Sequence, residues 1–581
     1  MSAALALSSM TNVAGFVAAS RASSMARPTA MATTAAFLLP RGGSAKTSST
    51  VRSASTTATA EEMSTNADGT CSTTAAYQEL VELLEGITHL GRASAVLGYD
   101  QMVFMPQTDS ASNERGKQSA ALAAVIHEKS VDPRIGELLT QLESATDVSL
   151  SSDQQRVAEL ARKAYDKKVK IPTSLASKAA SLSAQAYNIW AKARAADDFS
   201  QFQDILGEGI DVAKQSAAAI QTPDEIAAQK SLYATMLDEF EVGMDPDRID
   251  AIFEEIQSAL VPLIDLVLSD KATPPNTSLL NGKFPIPAQE AMCKDLVRAI
   301  GFDDSQGRID VSVHPFSSSM SKHDCRITSR FKEEEWYQGL AGSLHEAGHA
   351  MYEQNMGGDE VTNALPIDAA LSMGMHESQS LFWERHIGMS KSFWQYAAPI
   401  VNGHLKTSHS AEDLYAAVNN AQRSLIRVEA DELTYPLHVI LRYTIERDFI
   451  ESRLDVANIP TRWNKGMKDM LNIDVPSDAK GCLQDVHWSM LAYGYFPTYL
   501  IGAATAAQWA HYCQKDIKDF DKKVAAGDFT EIKEWMTEKV HKHGSRYKSL
   551  DEHLKAQVGE ELNPKYFIDY LTQKYKELYQ C

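Results

Sequence analysis

Two histidines and a glutamate in the stretch from Ser343 to Glu353 have the spacing of a metal-binding pair with an adjacent base. His345 and His349 are four residues apart, and Glu346 directly follows the first of them. If this segment is helical, the two imidazoles project from one face and can hold one metal ion together. Two imidazoles that fix a zinc ion, with a neighbouring carboxylate that takes a proton from water, form the arrangement of metal-assisted hydrolysis.

A third protein ligand is needed beyond the two histidines, because a catalytic zinc site keeps its fourth position for water. Glu377 lies far enough after His349 for a helix, a turn and a second helix to intervene. His376 and Glu384 compete for the same role, and Glu353 is near enough in sequence to approach the ion. Spacing alone leaves these alternatives open, and so short a motif also arises by chance on amphipathic surface helices.

Length and composition indicate a large folded body. With 581 residues, 44% of them hydrophobic, the chain can form two lobes or one body with a cleft. Its formal net charge of -20 argues against nucleic acid and against an anionic membrane surface as partners. The six cysteines lie far apart, which indicates reduced thiols and no disulfide scaffold. No apolar run approaches the ~18 residues of a spanning helix, so we expect a soluble protein.

The segment before Glu61 has the composition of an organelle-targeting leader. Ala, Ser and Thr dominate it, and it contains no acidic residue. Its positive charges are Arg21, Arg27, Arg41, Lys46 and Arg52. We expect import into a plastid, because hydroxylated residues outnumber arginines. A mitochondrion is the alternative, and a disordered tail without a targeting function is the third possibility. Residues 1–73 are therefore assigned to a targeting peptide and leader, and 74–581 to the folded domain.

From Thr74 onward, apolar residues recur at helical spacing, which predicts a mainly α protein. We expect this body to have a deep cleft and, beside the metal helix, a small β-sheet. The helices predicted in the first half are 118–126, 135–142, 155–165, 174–195, 202–220 and 248–268. Those predicted after the metal helix are 370–387, 414–428, 431–452, 465–471 and 485–499, with a loop around Pro460. Pro436 should kink or end its helix. The Pro/Gly-rich connection at 270–288 is either a lobe boundary or a loop crossing one continuous body.

Alternation predicts a β-hairpin just before the metal helix. Ile309, Val311 and Val313 alternate with polar residues, and so do Cys325 and Ile327 further on. Residues 317–323 would be the long turn of this hairpin. An exposed hairpin edge in this position is a candidate shelf for an extended peptide.

The chain resembles the carboxypeptidase Taq family of zinc metallocarboxypeptidases over roughly residues 75 to 581. Six motifs in the family's order carry the resemblance: His314-Pro315-Phe316, Asp324-Cys325-Arg326-Ile327-Thr328, His345-Glu346-Ala347-Gly348-His349, His376-Glu377-Ser378-Gln379, Ile426-Arg427-Val428-Glu429-Ala430-Asp431 and Gly481-Cys482-Leu483-Gln484-Asp485-Val486-His487-Trp488. The segments Tyr99-Asp100-Gln101, Met105-Pro106 and Gly494-Tyr495-Phe496-Pro497-Thr498-Tyr499 also fit.

Three positions depart from the family's pattern, and none of them is a proposed ligand. Tyr99 replaces a usual tryptophan, Pro436 follows a tyrosine where asparagine is common, and Met490-Leu491 occupy a place often held by small residues. The bulk of Met490 and Leu491 could reshape a pocket.

The resemblance implies a metal site and a chemistry. His345, His349 and Glu377 are implied as ligands, and Glu346 as the base that activates water. Zinc is the expected ion, and cobalt could substitute for it. The resemblance also implies broad tolerance of side chains and a homodimer.

A carboxypeptidase must recognise a free terminal carboxylate, which a buried arginine does with two parallel hydrogen bonds. Arg427 is the first candidate, and the alternative is a structural ion pair with Glu429 or Asp431. Asp431 could instead orient a metal-bound histidine.

The reaction also needs a donor to the oxygen that becomes negative. Tyr495 and Tyr499 are candidates, each with packing as the alternative. His314 and His487 are candidates for binding substrate backbone or carboxylate. Asp324, Arg326 and Thr328 are expected to tie the hairpin together.

The sequence therefore predicts a carboxypeptidase that removes single residues from peptides. Two rivals are an oligopeptidase or endopeptidase of the same helical type and a noncatalytic peptide-binding protein that retains the fold. Peptides are the expected partners in each case.

Overall fold

The computed structural model describes residues 73–145, 150–357 and 363–581. The targeting peptide predicted in the leader lies outside the described residues. The α-helices of the first half are α1 (Thr73–Val103), α2 (Asp109–Ser130), α3 (Pro133–Ser144), α4 (Ser152–Lys170), α5 (Thr173–Ala196), α6 (Ser200–Ile220), α7 (Pro223–Ala227), α8 (Leu232–Leu237), α9 (Pro246–Val267) and α10 (Ile286–Ala299). Each helix predicted before residue 268 is present, with ends shifted outward at most positions.

The second half contains the metal helix and the helices that pack around it. They are α11 (Tyr337–Gln354), α12 (Met373–Leu381), α13 (Lys391–Leu405), α14 (Ala411–Val418), α15 (Tyr435–Ile450), α16 (Ile459–Leu471), α17 (Pro497–Asp516), α18 (Phe520–Ala526), α19 (Thr530–Lys539), α20 (Leu550–Val558) and α21 (Lys565–Tyr579). A π-helical turn, Phe382–Ile387, continues α12. Short 3-10 turns include Arg427–Glu429 and His487–Met490.

Local sequence explains where several of these helices begin. Ser151 and Gln154 form a reciprocal capping box at the start of α4, and Ser372 caps α12 by accepting a hydrogen bond from Met375 N. Such caps satisfy N–H groups that have no partner inside the helix and each stabilise it by about 1 kcal/mol. Pro246 is the first residue of α9, where its missing N–H costs nothing.

The small sheet differs from the predicted hairpin. Its strands are β1 (Gly307–Val311), β2 (Phe316–Ser321) and β3 (Asp324–Ser329), in the order β1-β3-β2, with β1 parallel and β2 antiparallel to β3. The interval predicted as a long turn is therefore mostly the strand β2. Three consecutive serines hide its alternation, although Phe316 and Met320 are buried and pack against Tyr99 of α1.

Four predictions in the second half are wrong. The helix predicted over 414–428 ends at Val418, and an irregular segment then carries Arg427. Pro436 is the second residue of α15 and Pro460 the second residue of α16, so each proline lies at a helix start and neither kinks a helix nor forms a loop. The helix predicted over 485–499 is a 3-10 turn, a loop and the first turn of α17.

One large hydrophobic core includes Val267 before segment 270–288, Phe284 within it and Met292 after it. This packing favours a loop that crosses one continuous body. A satellite cluster formed by α1, α3 and α4 includes Leu80 and Leu139. Among the helices of the described ranges, none is long and apolar enough to cross a membrane.

Candidate active site

Two helices approach closely enough to bring residues distant in the chain into one site. Gly348 lies inside the metal motif on α11, and a Cβ atom there would be 2.6 Å from Gln379 O of α12. Glycine at this position therefore allows the two helices to come into backbone contact. The close approach places Glu377 of α12 opposite His345 and His349.

His345, His349 and Glu377 are the group of potential metal ligands in the described part of the chain. Glu377 Oε2 is 4.0 Å from His345 Nε2 and 3.7 Å from His349 Nε2. These separations are slightly longer than the ~3.3 Å between ligand atoms on tetrahedral zinc, so the residues fit one ion after a small contraction. The alternatives Glu353, His376 and Glu384 are not in the group.

Hydrogen bonds hold both imidazoles with Nε2 toward Glu377. His345 Nδ1 is 2.8 Å from Glu384 Oε2, and His349 Nδ1 is 3.0 Å from the backbone oxygen of His376. If each Nδ1 carries the proton, each Nε2 keeps a lone pair for a metal. Glu384 thus supports a ligand.

His376 and Glu353 form a pair behind His349. His376 Nδ1 is 2.6 Å from His349 Nδ1, and His376 Nε2 is 2.9 Å from Glu353 Oε1. Burial, followed by the neighbouring histidines, lowers the pKa of His349 well below its usual value, which favours the neutral imidazole that a metal requires.

Glu346 has the environment of a general base. Its residue is 2% exposed, and its Oε2 atom is buried without a hydrogen-bond partner among the described residues. Burial is the main cause that raises the pKa of this carboxyl to about 7, with a further contribution from Glu377. A base whose pKa is close to neutral suits proton transfer near pH 7, and a bound cation would lower that pKa again.

Arg427 is buried and anchored by a residue from another segment. Its Nε and Nη2 atoms donate to Asp485 Oδ1 at 3.0 and 2.8 Å, and Nη1 donates to Tyr435 OH at 3.0 Å. The ion pair is therefore with Asp485 and not with Glu429 or Asp431, which were the sequence alternatives. Its guanidinium carbon lies 5.0 Å from the ring centroid of Tyr499, which connects Arg427 to the tyrosine pair.

Tyr495 and Tyr499 lie against each other, and Tyr499 lies beside Arg427. Their ring centroids are 5.3 Å apart, although Tyr495 precedes the start of α17. Burial is the largest cause that raises the pKa of both hydroxyls, and the charge of Glu377 raises both further. Both phenols therefore remain protonated and able to donate a hydrogen bond at neutral pH.

His487 belongs to the same aromatic group. Its Nε2 atom is 3.3 Å from Tyr499 OH, and its ring lies 4.4 Å from that of Phe496. Burial and the charge of Arg427 lower the pKa of His487 to about 3, so the imidazole is neutral.

His314 occupies a different place, at the end of the segment that leads into β2. Its neighbour Pro315 lies beside α11, since a Cβ on Gly342 would be 3.4 Å from the proline ring. The His314 ring is half-buried, and no contact among the described residues joins it to the metal ligands. Its role in substrate binding stays a prediction.

Asp431 does not orient a histidine. Its carboxylate accepts hydrogen bonds from Gln422 N, Leu433 N and both the backbone N and hydroxyl of Thr434, which shape the turn before α15. That prediction is wrong because backbone donors satisfy the group.

In the sheet, Arg326 forms a two-pronged ion pair with Asp324 on its own strand, and Thr328 links β3 to Phe316 at the start of β2. The Thr328 contact joins two strands as expected, whereas the pair of Arg326 and Asp324 lies within one strand and does not tie strands together.

Sequence reasoning missed four residues at the site. Asp485 anchors Arg427, Tyr435 shares its Nη1, and Arg442 binds the other oxygen of Asp485. Arg385 lies on the π-helical turn with its guanidinium carbon 5.4 Å from the Tyr435 ring centroid. Asp485 lies within a recognised motif, but no spacing rule connects it to Arg427, because the helices α15 and α16 and their connecting loops lie between them.

A Glu384→Gln variant is expected to bind the metal about 10- to 100-fold more weakly, because His345 loses a carboxylate that fixes its ring and raises its basicity. Titration with a competing chelator measures this affinity. Glu290→Gln, a substitution away from the site, is the control. Equal affinities in the two variants would contradict the role assigned to Glu384.

A Gly502→Ala variant tests how α17 holds Glu377. A Cβ at Gly502 would lie 2.7 Å from Glu377 Cβ, so the ligand must shift. We expect a lower metal affinity and a loss of about 1–3 kcal/mol in the free energy of unfolding. Gly403→Ala is the matched control, since a Cβ at this position of α13 meets nothing within 4 Å. Similar metal affinities for both variants would rule out this packing role.

Two histidines on one helix and a carboxylate from the next lie in a helical body, beside a buried glutamate with one oxygen that has no partner among the described residues. This arrangement defines a helical metallopeptidase. Comparison with known proteins narrows the class. The model of the carboxypeptidase Taq (M32) metallopeptidase family matches residues 79–575. The chain belongs to this family and is therefore a metallocarboxypeptidase. Membership of a metallopeptidase family implies that a divalent metal ion is bound.

The match to two bacterial relatives extends over nearly the whole length of each relative. Carboxypeptidase 1 of Bacillus subtilis is 37% identical, with 86% of this chain and 98% of the relative covered. Thermostable carboxypeptidase 1 of Thermus thermophilus is 34% identical, with 87% and 99% covered. The crystal structure of an M32 carboxypeptidase from Deinococcus radiodurans superposes with a TM-score of 0.82 at 33% identity, covering 87% of this chain and 100% of the other.

Proposed function

We propose that this metallocarboxypeptidase uses zinc, with cobalt as a possible substitute, to remove single amino acids of many kinds from the C-termini of peptides. Arg427 carries the proposal. A guanidinium has five N–H donors, of which Asp485 and Tyr435 receive three. One N–H on each terminal nitrogen remains, which suits two-pronged binding of a terminal carboxylate.

In the proposed mechanism, His345, His349 and Glu377 would hold a zinc ion, which would supply Lewis acidity at the site. Glu346 takes a proton from the attacking water and delivers it to the nitrogen of the departing amino acid. Tyr495 or Tyr499 donates a hydrogen bond to the oxygen that becomes negative.

The substrate end is held separately from the reacting carbonyl. Arg427 binds the terminal carboxylate, and the neutral His487 beside Tyr499 contacts the peptide backbone. His314 is proposed as a second backbone contact on the side of β2. These contacts fix which peptide bond reaches Glu346, so cleavage proceeds from the chain end.

Peptide ladders test this function directly. The protein lacking its leader is incubated with mixed peptides, with and without a chelator, and the products are read by mass spectrometry. We expect products shortened one residue at a time from the C-terminus, loss of activity with the chelator and recovery with added zinc.

Amidated peptides separate the proposal from its nearest rival. Because a C-terminal amide cannot replace a carboxylate on Arg427, amidation should nearly abolish turnover. Undiminished cleavage of amidated peptides, especially at internal bonds, would indicate an oligopeptidase instead.

A plastid location is supported by the leader composition, and a homodimer by the family resemblance. Imaging of a fluorescent fusion to residues 1–73 distinguishes plastid from mitochondrial import. Light scattering after size-exclusion chromatography should give twice the mass of the chain without its leader, and a monomer mass would contradict the dimer.

A further inference from the structure

Arg442 is a completely buried arginine that does not itself face the metal ligands. It lies on α15, and its residue is 0% exposed. Its Nε donates to Asp485 Oδ2 at 2.6 Å, and Nη2 donates to Gln484 Oε1 at 2.7 Å. Nη1 donates to the backbone oxygen of His438, one helical turn earlier, at 2.8 Å.

Both side chains that Arg442 binds also bind Arg427. Asp485 uses its other oxygen, Oδ1, for the Arg427 guanidinium, and Gln484 Oε1 accepts from Arg427 N at 2.9 Å. Arg442 therefore contacts both Asp485, which binds the Arg427 side chain, and Gln484, which binds the Arg427 backbone.

Arg427, Arg442 and Asp485 form a buried cluster of two positive charges and one negative charge. Arg427 and Asp485 alone would form a neutral pair, and both oxygens of Asp485 could then face both prongs of Arg427. Arg442 takes one of these oxygens, so two guanidinium groups share one carboxylate and the buried cluster carries one excess positive charge. A buried excess charge is costly unless an anion offsets it.

We propose that Arg442 is a positioning residue for recognition of the substrate's terminal carboxylate. By occupying Asp485 Oδ2, it prevents Asp485 from neutralising Arg427 and leaves the excess charge for the carboxylate to offset. This inference rests on the proposed role of Arg427 in binding the peptide end.

The test compares the free-acid and amidated forms of one peptide through the ratio of their kcat/KM values. In Arg442→Met we expect KM for the free acid to rise about 10- to 100-fold, with kcat within about threefold of the parent, so that the ratio falls. Arg442→Lys keeps the charge and can still bind Asp485 Oδ2, so it should restore most of the ratio. A purely structural role would lower the activity of both variants without this rescue.

Two further variants separate the possible outcomes. Lys574→Met is the stability control, because it removes a different buried ion pair, between Lys574 Nζ and Glu432 Oε1 at 2.5 Å, and should leave the ratio unchanged. Arg427→Met is the reference variant, which should lose all preference for the free-acid peptide over the amidated peptide. If Arg442→Met does not fold, Arg442→Gln takes its place, with the same expectation.

The inference is overturned if the neutral Arg442 variant keeps the parent ratio while Arg427→Met loses it, and the proposed function then stands. If Arg427→Met also keeps the ratio, carboxylate recognition by Arg427 itself is wrong. The two failures are therefore distinguishable in one set of measurements.

Discussion

In a Glu346→Gln variant, kcat/KM for peptide hydrolysis falls by about 10²- to 10⁴-fold while metal affinity stays close to that of the parent. Glutamine has nearly the same size as glutamate, but its amide cannot accept the proton of the attacking water. The buried Oε2 atom of Glu346 has no partner among the described residues, so the substitution breaks no hydrogen bond at that atom. Chelator competition measures the metal affinity, and steady-state kinetics measures the hydrolysis.

Glu335→Gln is a useful comparison for Glu346→Gln. Glu335 precedes α11, and one of its oxygens is also buried without a partner. Burial raises the pKa of its carboxyl too, yet no contact among the described residues connects Glu335 to the metal ligands. We expect its variant to hydrolyse peptides at the parent rate. A Glu346→Gln enzyme that was equally fast would contradict the assignment of the base.

The sequence could predict the metal pair because its geometry is local. His345, Glu346 and His349 depend only on the pitch of one helix, and α11 places them as expected. The position of Glu377 beside the histidines depends on the packing of α12 on α11 at Gly348. Sequence spacing alone left the third ligand open among several candidates. Glu377 was distinguished from the other candidates by the resemblance to known motifs and not by periodicity.

Contacts between distant segments were beyond sequence reasoning. The bond between Glu384 and His345 depends on the π-helical turn, and the bond between Arg427 and Asp485 depends on how α15 and two irregular segments pack. In the sheet, Ser317 to Ser319 carry no apolar alternation, so the sequence predicts a turn where β2 lies. Pairing with β3 determines that strand more than its own residue preferences do.

An Arg427→Lys variant is expected to lose about 2–3 kcal/mol of binding to free-acid peptides, or roughly 30- to 150-fold in kcat/KM. Lysine keeps the positive charge but cannot donate to Asp485, Tyr435 and a carboxylate in one fixed plane. It also leaves Asp485, which is buried and paired with two arginines, with a weaker partner. Steady-state kinetics on one peptide as free acid measures the loss.

The amidated form of that peptide isolates the contact with the carboxylate. Amidation and Arg427→Lys each remove one partner of the same interaction, so their effects should not add. Once the peptide is amidated, the lysine substitution should change kcat/KM by no more than a few fold. If the two losses add fully, Arg427 acts on folding or on the metal site, and another group must bind the peptide end. Arg423→Lys, whose parent side chain pairs with Asp265 near the surface, controls for general effects of the exchange and should leave both peptides unaffected.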